Sequence, residues 1–556
     1  MSLRFRPLGE AALTVELGDR MAPAVNARVH ALHTDLTTHS LPGLIESVPA
    51  YRSLTLYYNP LVLSLDELTA SVRERMAHLA ERNVEGRQRL HVIPVAYGGE
   101  FGPDLEAVAA LVGLSPEQVI AEHSRATYHV YMLGFSPGFP YLGRTSARLD
   151  VARLATPRSR VPAGSVAIAG RQTGIYPSPT PGGWRLLGRT GWRFFDPTRM
   201  PPARLQPGDQ VRFRPAVPSD AGLIEEPASE WGTSATWSRV EGHPVIEILE
   251  GGLLTTVQDG GRFGFQSLGV PVSGVMDRAA MRAANQLVSN APDAPVLEIT
   301  LAGPRLRFLE DALIAVTGAD LSQWVEWPDG NRFELPGWLA IYLRRGSGLG
   351  FAGRKSGCRA YVALAGGIAV PPVLGSASTC LSGGFGGYAG RQLQRGDCLQ
   401  AQPLPSGVLV RAGQAWPAHL RPGYSNHPVV RILPGPDWHQ FTREAHAAFL
   451  SSEYNVQPAS DRMGIRLKGP ALPRRILTEV ISSGVTTGSV QVPAEGQPII
   501  LGADRQTVGG YPQIAVVIGP DLPLLAQLAP GDHVSFRRVT LEEAISCPAP
   551  RHPPTG

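Results

Sequence analysis

A mainly β fold with α+β parts is what this sequence of 556 residues predicts, and three observations predict it. One stretch occurs twice. Val161-Pro162-Ala163 leads to Arg171-Gln172-Thr173, Tyr176-Pro177 and Pro207-Gly208-Asp209; Val492-Pro493-Ala494 leads to Arg505-Gln506-Thr507, Tyr511-Pro512 and Pro530-Gly531-Asp532. The same motifs in the same order read as two copies of one unit, each with a polar corner, a Tyr-Pro turn and a hairpin into a last strand. Second, 62 glycines and 51 prolines punctuate many short apolar runs without a period, which is the pattern of turn-rich β structure. Third, residues 1–85 alternate strand and helix instead, so a small α+β domain is expected ahead of the β units.

Within that first domain Thr14–Leu17 and Ser53–Tyr58 read as strands, with a helix over Val25–Leu36 between them. Ser64-Leu65-Asp66-Glu67 is a capping box, and it opens a helix with Leu65, Leu68, Val72, Met76 and Leu79 along one face. His91–Val95 starts a second domain, 86–215. Asp104 is placed to cap a helix from Leu105, and Ser115 with Pro116 caps another that ends near His123. The strand from Tyr128 runs into an aromatic loop, Gly134–Gly143, pinned by glycine and proline and rigid enough to wall a pocket. Residues 216–243 show no periodic face and read as a linker. Val245–Leu249 then opens a second half, 244–545, with a helix from about Asp277 to Val288 and a Pro-rich tail, 546–556.

A hydrophobic content of 43% and a charged content of 18% describe a globular chain. The net charge of +4 without a Lys/Arg block argues against nucleic acid. No apolar signal core or membrane-length run is present, so no membrane association and a cytoplasmic location are expected. Lys355 and Lys468 are the only lysines, so cationic chemistry falls to arginine. Four cysteines without a Cys-x-x-Cys pair argue against a zinc site and a disulfide framework, and no metal site is expected.

Tyr97–Asp104, Gly134–Gly143 and Pro162–Val166 with Gln172–Pro177 make residues 1–215 resemble allophanate hydrolase subunit 1, the group of KipI and the B subunit of 5-oxoprolinase. Leu253–Arg262, Gly269–Asp277, Thr317–Asp320, Tyr361–Ile368, Gly383–Gly387 and Ser460–Gly464 make the second half resemble allophanate hydrolase subunit 2, the group of KipA and the C subunit of 5-oxoprolinase. The resemblance implies cyclophilin-like β-barrels and a fusion of the B and C subunits. It further implies ATP-dependent opening of 5-oxoproline to glutamate, with ATP and Mg²⁺ and a separate, LamB/YcsF-like A subunit; self-association is left open. Two other activities stay open. One is a carboxyltransferase module of a urea or guanidine carboxylase, for which this chain has no biotin attachment site. The other is KipI/KipA-type regulation of a histidine kinase. One departure, Cys380 in Ser378-Thr379-Cys380-Leu381, is given no catalytic role.

Arginine offers a fork of donors to carboxylate or phosphate, and glutamine both donates and accepts. Arg171, Gln172, Thr173, Tyr176, Arg505, Gln506 and Tyr511 at the repeated corners are therefore candidates for holding substrate or ATP, against the alternative that the corners only tie turns. Arg262, Arg391 and Arg462 join them, with internal ion pairing as the alternative. Gly383–Gly387 with Arg391 could form an anion loop. Gly348–Ser356 imitates a P-loop but lacks the following helix, and a hairpin is expected there. For proton transfer the candidates are His123, expected to be freer than His129, together with Glu100 and Asp461.

Overall fold

The computed structural model describes residues 3–80, 89–223, 242–476 and 480–547. Most of the expected linker and nearly all of the expected tail lie outside these residues. The chain is mainly β, with two closed seven-stranded barrels.

Arg4–Pro7, Ala12–Glu16, Ser53–Tyr58 and Leu44–Pro49 lie side by side in that order as an antiparallel sheet. Val29 and Leu32 from the helix Pro23–Thr38, and Leu68 and Val72 from the helix Leu65–Ala80, share one core with Leu13, Leu54 and Leu56. The expected capping box is present: Glu67 N donates to Ser64 Oγ and Ser64 N donates to Glu67 Oε2, at 3.2 and 2.9 Å. These bonds satisfy amides that the first helical turn leaves without partners.

The first barrel takes its strands from Leu90–Tyr97 to Gln210–Pro215, and the second from Val429–Pro434 to His533–Arg538. Counted along the chain, the seven strands follow one neighbour order in both barrels, and in each the first and last strands pair in parallel. The duplication is therefore real. Its Pro-Gly-Asp turns do the same work: Asp209 accepts from Gln206 N at 2.9 Å, and Asp532 from Ala529 N at 2.8 Å.

The Arg-Gln-Thr corners, however, are not equivalent. Ile175 faces Val166 across the fourth and fifth strands of one barrel, as Ile500 faces Val490 in the other. This register aligns the turn before Ser165 with the turn before Ser489. Arg171-Gln172-Thr173 thus enters the fifth strand, whereas Arg505-Gln506-Thr507 comes after it. The letters coincide while the topological positions differ, because the loops flanking the fifth strand have different lengths in the two copies.

Between the barrels in sequence, a seven-stranded and a five-stranded sheet enclose a core that includes Ile248, Leu306, Ile314 and Val362. The helix Arg278–Leu287 packs Met281 and Ala284 with Leu313, Ala315 and Tyr361 in a second core. Gly348–Phe351 belongs to one sheet and Ser356–Leu364 to the other, so the P-loop-like stretch is a crossover between sheets rather than the expected hairpin. Arg354 there bonds the Gly357 carbonyl and Asp532.

The four units close on one another. Asn26 Nδ2 donates to the Tyr131 carbonyl at 3.1 Å, tying the N-terminal unit to the first barrel, and Tyr57 donates to the Val485 carbonyl at 2.8 Å, tying it to the second. The two-sheet unit reaches both as well. Gly138 N donates to the Leu268 carbonyl at 2.8 Å, and Arg462 of the second barrel bonds Glu298.

Candidate functional site

The hairpin that leads from Ser165–Ala169 into Gln172–Ile175 turns through Gly170, whose positive φ of 53° suits glycine. This tight turn sets Arg171 and Gln172 at the wall of a cavity of about 650 Å³ between the N-terminal unit and the first barrel. Met21 and Tyr51 line it from one side, and Tyr131, Arg144, Asp150 and Arg153 from the other. Three arginines against one carboxylate give the chamber a positive field.

Several donors there are unused. Arg171 gives Nη2 to the Thr145 carbonyl at 3.2 Å, but its buried Nε has no hydrogen-bond partner among the described residues, nor has the buried Tyr51 hydroxyl. The Gln172 amide reaches only a weak acceptor among the described residues, Met21 Sδ at 3.9 Å. Burial pushes the Tyr51 phenol well above its ordinary range, against the opposing pull of Arg153, so it remains a hydroxyl donor. Burial likewise raises Tyr131, with Arg144 opposing. The arrangement can hold a carboxylate or phosphate by charge-assisted hydrogen bonds.

The other predicted residues are dispersed, and most are structural. His123 is fully buried: Nδ1 lies 2.8 Å from Tyr97 Oη and Nε2 2.9 Å from Thr173 Oγ1, with the ring stacked on Phe213 at 4.6 Å. Burial lowers its pKa to about 3, so it is a neutral core residue and not the free proton carrier expected. Thr173 donates to the Ala167 carbonyl and completes that knot. Tyr176 is buried against Phe139, and burial raises its pKa to about 12. Glu100 stands exposed on its turn and does not line the arginine cavity. Asp461 is exposed, and its Oδ1 accepts from Met463 N and Gly464 N, which makes it a turn residue.

Arg262 is buried and donates to the carbonyls of Val373 and Ser378, both at 2.8 Å, so it stitches a loop. Arg391 forms a two-bonded pair with Asp397. Arg462 is enclosed by Glu298, Asp504 and the Gly274 carbonyl. The glycine loop beside Arg391 spends its amides internally: Gly384 N donates to the Cys380 carbonyl and Gly387 N to that of Ala377. A Cβ on Gly387 would fall 1.8 Å from Thr379 Oγ1, so close packing accounts for that glycine. Cys380 is buried, and burial raises its thiol pKa. Asp104 does not cap its helix; it accepts from Leu186 N and Arg158, both at 2.7 Å.

At the second corner Arg505 is buried and gives Nη2 to Gln266 Oε1 at 2.9 Å, while its Nε and Nη1 have no partner among the described residues. Gln506 bonds Gln491 at 3.4 Å, and Tyr511 is exposed at 46%. Of the residues lining the arginine cavity, the repeated corner marks Arg171 and Gln172 and leaves Arg144, Arg153 and Tyr51 unmarked. Arg144 directly follows the rigid Gly134–Gly143 loop, which was a usable signal; Arg153 and Tyr51 carry none. No group of three or more His, Cys, Asp or Glu side chains able to hold a metal ion occurs among the described residues, and no described helix is long and apolar enough to cross a membrane.

Comparison with known proteins covers both halves. Residues 3–205 match the family model for carboxyltransferase domain, subdomain C and D, and residues 268–538 that for carboxyltransferase domain, subdomain A and B. The C subunit of 5-oxoprolinase from Escherichia coli (strain K12) is 41% identical over 308 residues, which is 54% of this chain and 93% of that protein. The B subunit of 5-oxoprolinase from Bacillus subtilis (strain 168) is 45% identical over 225 residues, 38% of this chain and 93% of that protein. The crystal structure of TTHA0988 superimposes with a TM-score of 0.81 at 38% identity, covering 95% of this chain and 99% of that one. Kluyveromyces lactis urea carboxylase gives a TM-score of 0.50 at 25% identity, over 70% of this chain and 37% of that one.

Proposed function

Because the chain belongs to the carboxyltransferase-domain family that includes the 5-oxoprolinase B and C subunits, with both parts joined in one polypeptide, we propose that it is the B–C component of an ATP-dependent 5-oxoprolinase. In this reading it opens 5-oxoproline to L-glutamate together with a separate A subunit, in the cytoplasm. One observation carries it: the two halves match, each over 93% of the relative's length, two subunits of the same enzyme.

The chemistry suits the residues. A lactam amide is a poor electrophile, and ATP when bound would supply a phosphoryl group that turns the lactam oxygen into a leaving group. What the protein must then provide is orientation and charge stabilisation rather than a covalent nucleophile. Arg144, Arg153 and Arg171 would hold the 5-oxoproline carboxylate or a phosphate. Gln172 and the Tyr51 hydroxyl would orient it through neutral hydrogen bonds. The unpartnered Arg171 Nε and Tyr51 Oη fit an anionic guest, since burying such groups unpaired is costly. Mg²⁺ would enter on the phosphates of ATP.

The test is glutamate release from 5-oxoproline by the purified chain, with and without a cognate A subunit, ATP and Mg²⁺. Little or no release alone and clear release with the partner is expected. Robust release by the chain alone, or none with the partner present, would count against the proposal. A second reading, a carboxyl-transfer module acting in trans, draws on the likeness to urea carboxylase. It predicts instead a dependence on a biotin-bearing partner.

A further inference from the structure

A second cavity, of about 540 Å³, lies where the second barrel meets the two-sheet unit, and it shares no lining residue with the arginine-lined chamber. Its walls are largely apolar, with Val275, Leu501 and Leu522 among them, and Arg278 and Arg282 stand at it. Size, apolar walls, a few polar groups and a position between structural units are the ordinary attributes of a small-molecule site.

The two arginines are placed against local electrostatics. They are four apart on the helix Arg278–Leu287, so two like charges share one face, and Arg278 occupies the first helical position, where the macrodipole disfavours a cation. Arg278 donates to the Gly260 carbonyl at 2.6 Å and lies over the Phe263 ring, and Arg282 pairs with Asp293 through Nε and Nη2, both at 3.3 Å. A bound anion between them would reverse both penalties. A separate observation points the same way. Ser273, only 3% exposed, lines the cavity, and its hydroxyl has no partner among the described residues.

A ligand that satisfies all of this has an apolar body, hydrogen-bonding edges and a charged end large enough for two guanidinium groups. We infer that the cavity binds a nucleoside phosphate, with its heterocycle in the apolar chamber and its phosphates on Arg278 and Arg282. The inference rests on the reading of the chain as part of an ATP-consuming enzyme, and it assigns the phosphates to the C-terminal half, with Asn59 of the N-terminal unit at the cavity wall. Ser273, Thr487 and Asn59 supply the polar edges.

The experiment is calorimetric titration of the full chain with ATP, adenosine and inorganic tripolyphosphate, each repeated on Arg278→Gln and Arg282→Gln, beside melting curves. ATP should bind more tightly than either fragment. Each variant should weaken it about tenfold or more, the loss expected for a charge-assisted contact, with the ligand-free melting temperature close to the parent's. No ATP binding, unchanged ATP affinity in both variants, or tripolyphosphate binding as tightly as ATP would overturn the inference. Assays with the A subunit separate the two readings. Turnover that needs ATP but keeps the parental KM for ATP in both variants removes the inference alone; turnover without ATP removes the functional proposal.

Discussion

Glu46 and Arg505 are joined through a single side chain. Gln266 donates its backbone N and its Nε2 to the two carboxylate oxygens of Glu46, and accepts from Arg505 Nη2 at 2.9 Å on its Oε1. The three residues come from the N-terminal unit, the two-sheet unit and the second barrel, and all are buried. Replacing Gln266 with leucine removes the Nε2 bond to Glu46 and the acceptor of Arg505, and keeps only the backbone bond to Glu46. A loss of roughly 3–5 kcal/mol in unfolding free energy is expected, by analogy with breaking a buried ion pair. Urea denaturation measures it, and a change within about 0.5 kcal/mol would show that the bridge is not energetically coupled.

Arg505→Ala should behave in the same way, as a stability mutant. Gln172→Ala should not. Its amide reaches only Met21 Sδ among the described residues and it lines the arginine cavity, so its removal should shift stability by about 0.5 kcal/mol or less. Arg171→Ala and Arg153→Ala should lower 5-oxoproline affinity or turnover tenfold or more, the worth of a charge-assisted bond. Melting curves run beside kinetics separate the two classes. Variants that melt well below the parent yet bind substrate normally would mark the corner as structural.

Three histidines are held neutral by burial. His123 is lowered to about 3, and His30 and His33 each to about 4, from an ordinary 6.5. Below about pH 6.5 the unfolded chain takes up protons that the native rings refuse, so stability is full above that pH and falls as pH drops toward 4. Each ring contributes a slope of up to ~1.4 kcal/mol per pH unit. His123→Phe should flatten the acid limb by about one proton, whatever it costs at neutral pH through the lost Tyr97 and Thr173 bonds. Chemical denaturation at a series of pH values reads this directly; an unchanged acid slope would mean that the ring titrates normally in the native state.

Cutting the chain within residues 224–241 should leave the halves together on gel filtration. Tyr57 to Val485, Glu10 to Gly519 and Glu46 to Gln266 all cross between them, as does the packing of Tyr51 and Met132 with Val508. Limited proteolysis checks it, and separation of the fragments without denaturant would contradict the interlocked arrangement.

Local chemistry was legible in the sequence where it is settled locally. The Ser64–Glu67 and Ser115–Gln118 capping boxes, and the Pro-Gly-Asp turns ending in Asp209 and Asp532, depend on residues three apart, and they form as their spacing dictates. The existence of a repeat was legible for the same reason. Its register was not, because the register follows strand pairing and only then loop length. Nor was the fate of the arginines legible. Arg462 finds Glu298 164 positions away, and Arg171 lines a cavity whose other wall comes from Met21 and Tyr51 of the N-terminal unit. A guanidinium that stitches a fold and one that awaits a ligand look the same until the units are packed.

The parallel pairing of first and last strands in each barrel has a consequence for synthesis. Leu90–Tyr97 can complete its hydrogen bonding once Gln210–Pro215 has been translated, whereas Val429–Pro434 must wait for His533–Arg538, nearly the end of the described chain. Contacts of such sequence separation fold slowly and leave strand edges open meanwhile. The first barrel can mature on the ribosome. The face of Tyr57 that belongs against the second barrel remains uncovered until that barrel has been made. That interval is when the nascent polypeptide is most exposed to aggregation and most dependent on chaperones.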